Sequence, residues 1–182
     1  MKKFLTLFLI VLSVNSNAQK ATTLSTPLKN AVKINPAGYI LPQSGLLTFE
    51  RAVSAKQSFV VKAGYTGFNF SGFKYSGIYG GAEYRFYFGK DDVALKGFHA
   101  GPAISYGIGK VKESGATSSF TNLSFLVIGG KQWVWKSGFL INLHLGTGYS
   151  NFIYKDNNNS IFSGLKGGGL ALDGGICIGY NF

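Results

Sequence analysis

Nucleophilic, redox or metal chemistry would have to start from histidine, serine, cysteine and carboxylate side chains, and this chain arranges few of them for it. Its two histidines are His99 and His144. Side chains two apart on a strand share a face, so a serine at that spacing from a histidine is one arrangement that could pair nucleophile and base. His99 is followed by Ala100 and Gly101, and His144 by Leu145 and Gly146. The single Cys177 has no partner for a disulfide or a CxxC pair, and no phosphate-cradling glycine loop or histidine–carboxylate cluster points to a bound ion or nucleotide. No catalytic centre, cofactor or metal is expected. What remains is a set of charges at regular positions, Lys33, Glu50, Lys62, Glu83, Arg85 and Asp173, whose chemistry is pairing with one another. His99 and His144 are expected in the same polar network.

The elements carrying these residues alternate with a period of two. Gly169 to Phe182 reads GLALDGGICIGYNF, with Leu170, Leu172, Ile176, Ile178, Tyr180 and Phe182 on one parity and Ala171, Asp173, Gly175, Cys177, Gly179 and Asn181 on the other. The pattern predicts a strand with one oily and one small or polar face. Seven further segments repeat it: 30–41, 46–53, 58–68, 77–88, 97–111, 119–135 and 139–150. Two irregularities are expected, at Pro36, which cannot donate to a ladder, and near Ile128 and Lys131, which break phase and suggest a bulge. Tight turns are expected after the second and sixth strands. Longer loops are expected over Asn69–Ser76, Lys112–Ser118 and Asn151–Gly167.

The two faces decide what the sheet borders. In a soluble, lipocalin-like barrel the bulky apolar set points inward. Here the opposite set is dominated by glycine, alanine and serine and carries all six charges, which suits a narrow interior and leaves the large apolar set facing outward. Aromatics make up 15% of the chain and glycines number 26, the pair that rings outside and small residues inside would produce. Tyr84, Phe86, Phe88, Trp133, Trp135 and Phe139 cluster at strand ends, as an interfacial girdle would. A bilayer leaves no unpaired strand edge, so first and last strands must meet. The expected fold is all-β: an eight-stranded antiparallel up-and-down transmembrane β-barrel closed by pairing of the first and last strands.

The N-terminus fits export. Lys2 and Lys3 precede an apolar run from Phe4 to Val14, and Ser16-Asn17-Ala18 offers small residues for cleavage, so residues 1–18 are expected to be a signal peptide, 19–29 a flexible lead and 30–182 the barrel. Losing two lysines takes the formal charge from +11 to about +9. In an exported chain that surplus suits anionic lipid headgroups or lipopolysaccharide phosphate rather than nucleic acid. The protein is expected in the cell outer membrane as a monomer.

Several stretches carry a resemblance: KINPAGYILPQSG from Lys33, LTFERAVSAKQSF from Leu47, GAEYRFYF from Gly81, KGFHAGPAISYGIGK from Lys96, GGKQWVWKSGFLINLHLGTGY from Gly129 and the closing GYNF. Together they resemble small outer-membrane β-barrel proteins of the Bacteroidetes type, a domain family of unknown function. The resemblance implies an outer-membrane location, handling by periplasmic chaperones and the barrel assembly machinery, and an assembly signal in the last strand at Tyr180 and Phe182. It implies no activity. The expected role is structural or interactive, with the longer loops as contacts. The alternatives are a small passive pore and a lipid A or phospholipid modifying enzyme, although the histidine–serine spacing of a barrel deacylase is missing. Eight strands leave an interior about wide enough for side chains to fill, so the charges are expected to plug it.

Overall fold

The computed structural model describes residues 29–36, 47–70, 73–113, 116–156 and 166–182. The expected signal peptide and most of the expected lead lie outside them, as does the end of the first expected strand beyond residue 36. Eight antiparallel strands follow one another: β1 (Asn30–Ile34), β2 (Leu47–Ser54), β3 (Gln57–Phe70), β4 (Phe73–Tyr87), β5 (Gly97–Glu113), β6 (Ala116–Val134), β7 (Phe139–Asp156) and β8 (Lys166–Asn181). Each pairs with the next, and β8 returns to β1, closing the sheet into a barrel. Ala31 to Ile34 pair with Asn181 to Ile178, and beyond them Asn30 and Phe182 exchange both backbone hydrogen bonds at 2.9 and 2.8 Å. The expected eight strands and their closure are therefore present.

Side-chain parity separates two environments. Phe59, Val61, Ile104, Phe125, Leu145 and Leu172 are among the large apolar residues that face out. Inside, buried polar and charged residues outnumber buried apolar ones. Ala103, Leu126, Ile128 and Ala171 form a small apolar cluster among them.

Several local expectations are corrected. β3 continues to Phe70 and β4 starts at Phe73, so most of the loop expected over Asn69–Ser76 is strand. Similarly β5 ends at Glu113 and β6 begins at Ala116, and β7 runs on to Asp156. The loop expected over Lys112–Ser118 is thus largely paired backbone, as are residues 151–156 and 166–167 of the one expected over Asn151–Gly167, the rest of which lies outside the described residues. No bulge lies near Lys131. The registers of β6 with β5 and β7 run without a shift through Ile128 and Lys131, so Ile128 points into the barrel and Lys131 out of it. The register shift that does occur lies between Ala52 and Ser54. At Pro36 the strand is ended rather than bulged, since β1 stops at Ile34.

A second proline leaves its mark in mid-strand. Pairing of β4 with β5 skips Tyr84 and Arg85, opposite Pro102 and Gly101, while the register on either side is kept. Proline has no N–H to give the ladder. A Cβ on neighbouring Gly101 would overlap the Tyr84 carbonyl oxygen, so the close approach there requires glycine.

The segment between β4 and β5 closes one end of the barrel. Asp92 Oδ2 accepts the backbone N–H of Gly89 at 2.9 Å and of Phe98 at 2.7 Å, and Ala94 donates to the Ala55 carbonyl at 2.8 Å. This folds Leu95 into the barrel mouth, where it is 1% exposed at a left-handed φ of 70°. Burial of a leucine, at roughly 2 kcal/mol, outweighs a backbone strain of about 1 kcal/mol.

Candidate functional site

The charged residues meet inside the turn end of the barrel. Lys33 comes from β1, Glu50 from β2, Lys62 from β3, and Glu83 and Arg85 from β4, each on the inward parity of its strand. Glu50 is fully buried and receives four donors: the Lys33 ammonium, the Ser58 hydroxyl, the Tyr87 hydroxyl at 2.6 Å and Arg85 Nη1 at 3.3 Å. Arg85 turns its other edge to Glu83, donating from Nε at 2.6 Å and Nη2 at 3.2 Å in a two-pronged contact that lysine could not make.

From Glu83 the pairing continues along the barrel axis. Lys62 Nζ lies 3.2 Å from Glu83 and 3.4 Å from Asp173 on β8, and Asp173 lies 3.8 Å from His144 Nε2 on β7. Lys33 donates to Gln132 Oε1 at 3.0 Å, and Gln132 in turn donates to the Leu95 carbonyl at 2.6 Å. His99 accepts a place beside this chain, 2.8 Å from Asn142 Nδ2 and with its ring 5.5 Å from that of Tyr87. The line from Lys33 through Glu50, Arg85, Glu83 and Lys62 to Asp173 holds three cations and three carboxylates. Its charges balance, which is what permits so many of them to be buried.

Every strand contributes to this assembly, β5 through His99 and β6 through Gln132. Desolvating these ions costs several kcal/mol each, and their mutual hydrogen bonds offset that cost only in this one register. The arrangement therefore selects the register of strands that the apolar outer face alone would allow to slide by two. Chemically it is a set of saturated ion pairs. Among the described residues, no group of three or more histidine, cysteine, aspartate and glutamate side chains could hold a metal ion. Among the described residues, His99 lies against Asn142 and His144 against Asp173, with no serine hydrogen-bonded to either. Cys177 is a free, buried thiol on the inner face.

In the distal half the hydrogen bonds between described side chains join neutral groups. Ser124 donates to Ser150 at 2.8 Å and Asn122 reaches Ser124 at 3.4 Å, with the rings of Tyr75 and Phe120 stacked at 5.1 Å. The charged half is packed with side chains, Leu95, Gln132, Lys33 and Arg85 all being 2% exposed or less.

Sequence reasoning missed four partners: Ser58, Tyr87, Gln132 and Asn142. All four lie on the inward parity of their strands, Asn142 against His99 and the other three against ions, so the signal was the alternation itself, which marks an inward polar residue as needing a partner. The aromatic residues read as interfacial do gather at one end. Phe86 and Phe88 lead into the 88–96 segment, Tyr84 packs on Phe86 at 5.1 Å, and Trp133, Trp135 and Phe139 flank the turn after β6 with Trp135 and Phe139 5.4 Å apart. Phe98 and Tyr180 also lie there. Lys131 sits among these rings, its ammonium 4.3 Å from the centre of Phe98 and 5.4 Å from that of Trp133. Tyr180 and Phe182 lie outside the barrel at the β1–β8 seam.

No curated protein and no solved structure matches the chain. The family described as "Protein of unknown function (DUF3575)" matches residues 4–165. With most of its length covered by that match, the chain belongs to the DUF3575 family.

Proposed function

We propose that this protein is an outer-membrane β-barrel with a structural or interaction role and a filled, non-conducting interior, of the type carried by Bacteroidetes. It is exported on a leader cleaved after Ala18, is handled by periplasmic chaperones and the barrel assembly machinery, and sits as a monomer among outer-membrane lipid and lipopolysaccharide. The observation that carries the reading is the inverted polarity of the two faces. Among the described residues, thirty-one large apolar or aromatic side chains are more than a third exposed. At about 1 kcal/mol for each half-exposed chain, leaving that face in water would forgo on the order of 30 kcal/mol, well above the roughly 5–15 kcal/mol net stability of a domain.

The dimensions support the same reading. The outward residues of β7 from Phe139 to Tyr149 cover ten steps, which at about 3.3 Å each and a tilt near 40° rise roughly 25 Å, the height of an outer-membrane apolar band. Aromatic rings at one end and Lys131 reaching up among them suit a headgroup boundary. The saturated ion pairs favour a plug over a pore. Both histidines face inward, away from any acyl chain, which favours a role other than lipid modification.

The test is reconstitution of the mature chain in liposomes. Membrane insertion is expected, read as protease-protected protein whose electrophoretic mobility shifts on boiling, with no steady conductance in planar bilayers. Failure to insert from a folded state would overturn the membrane reading. A large, steady conductance would favour the pore. A changed lipid A mass in cells expressing the protein would favour the enzyme.

A further inference from the structure

On the outer face of β4 and β5 the register stacks residues in a vertical order. Phe86 pairs with Ala100 at the turn end, Ala82 with Ile104 and Ile78 with Ile108 in the middle, then Ser76 with Lys110, and finally Lys74 with Lys112. Ile78, Ile104 and Ile108 are 57, 43 and 44% exposed, and all three lysines are exposed just beyond them. Lys74 and Lys112 are direct cross-strand partners, which puts their Cβ atoms about 5 Å apart, an arrangement that like charges make unfavourable unless an anion joins them. On the other side of β5, Lys110 pairs with Ser119 and Lys112 with Thr117, both exposed on the same face. Among the described side chains none of the three lysines forms an ion pair.

We infer that Lys74, Lys110 and Lys112, with the hydroxyls of Thr117 and Ser119, form a binding site for the phosphate of a membrane glycolipid of the lipid A class, whose acyl chains lie down the apolar wall of Ile108, Ile78 and Ile104. The inference rests on the membrane reading above and names one lipid contact within it. The chemistry is charge complementarity placed at one height: a phosphate monoester carries close to two negative charges, enough to bridge the Lys74–Lys112 pair, while Lys110 and the hydroxyls supply further donors. The lipid source is favoured over free phosphate because the cations end an apolar wall, so that one amphiphile satisfies both surfaces. At the turn end the exposed lysines 90, 96 and 136 lie in connecting segments rather than on a paired outer wall.

The test uses the full mature chain folded in detergent, with bound lipid counted by native mass spectrometry. The probes are bisphosphorylated lipid A, the same lipid with both phosphates removed, and inorganic phosphate. Wild type is expected to retain the bisphosphorylated lipid, and the triple variant K74Q/K110Q/K112Q to retain about 100-fold less, at roughly fivefold per lysine. K90Q/K96Q/K136Q, with the same loss of charge, should bind as wild type. Equal losses in the two triple variants would overturn the site in favour of diffuse charge, equal retention of the dephosphorylated lipid would overturn phosphate recognition, and inorganic phosphate bound as tightly as the lipid would overturn the glycolipid as its source. Insertion is scored separately by protease protection in liposomes. Variants that insert normally but keep lipid A overturn this site alone, whereas a wild type that does not insert overturns the membrane reading and this site with it.

Discussion

Glu50 shows what a single interior residue carries. It is fully buried, and its carboxylate stands between two cations, Lys33 and Arg85, with two hydroxyl donors completing its shell. Removing it leaves Lys33 without a carboxylate among the described residues and Arg85 with Glu83 alone, a loss of about 3–5 kcal/mol, while removing Lys33 with it relieves most of the imbalance. Glu50→Ala should therefore lower the thermal unfolding midpoint in detergent strongly, and Glu50→Ala combined with Lys33→Met should cost clearly less than the sum of the two single changes. Strict additivity in that thermodynamic cycle would mean that the pair does not act as a unit. Adding Glu83→Ala to Glu50→Ala strips both carboxylates from Arg85, and should destabilise further without any steady conductance in planar bilayers. Arg85, Lys33 and Leu95 still occupy the passage.

Two strand seams carry predictions of their own at the scale of the element. Between β4 and β5 the ladder lapses at Pro102, and Gly101 takes up the resulting close approach to Tyr84. Gly101→Ala should cost more than the roughly 1 kcal/mol that an ordinary core substitution costs, whereas Ala103→Gly, two residues along the same face, should cost about that much or less; similar midpoints for the two in detergent would count against the close approach. Between β8 and β1, Phe182 contributes both backbone bonds to Asn30 and an exposed ring. Deleting Phe182 loses both, while Phe182→Ala loses only the ring, so the deletion should lower both membrane-inserted protein and its unfolding midpoint and the substitution only the former. Equal insertion of Phe182→Ala and wild type, measured in outer-membrane fractions, would remove the ring from assembly. The alternation made the strands and their inward charges legible because a closed sheet has only two environments. Ile128 and Lys131 misled for a physical reason: Ile128 belongs to a small apolar cluster inside a barrel where buried polar residues outnumber apolar ones, and Lys131 keeps its stem outside by resting its ammonium on Phe98. The distal strand ends were read as loops because their outer face becomes polar, with Lys110, Lys112, Thr117 and Ser119 exposed, and the period of two vanishes while the pairing persists. Leu95 had no sequence signal, since its burial depends on a nine-residue segment folding across a mouth that only closure creates.

The whole molecule is asymmetric from end to end, and that asymmetry can be read as an orientation. An even number of antiparallel strands puts Asn30 and Phe182 at the same end, together with the Ala55–Lys56 turn, the 88–96 segment and the turn after β6. That end holds the balanced ion pairs, the aromatic ring and Leu95; the far end holds the hydrogen-bonded Asn122, Ser124 and Ser150 and the three outward lysines. Under the proposed outer-membrane reading both termini stay on the periplasmic side, so the plugged end should face the periplasm and the lysine face the outer leaflet. Cys177 gives a silent background for testing this, being 5% exposed on the inner face. With a membrane-impermeant maleimide, Ser114→Cys between β5 and β6 should label in intact cells, Lys136→Cys in the turn after β6 should label only after the outer membrane is opened, and the wild type should label only once unfolded. The reverse pattern would turn the barrel over, moving the Lys74–Lys112 pair to the inner leaflet, where phospholipid would be the only phosphate within its reach.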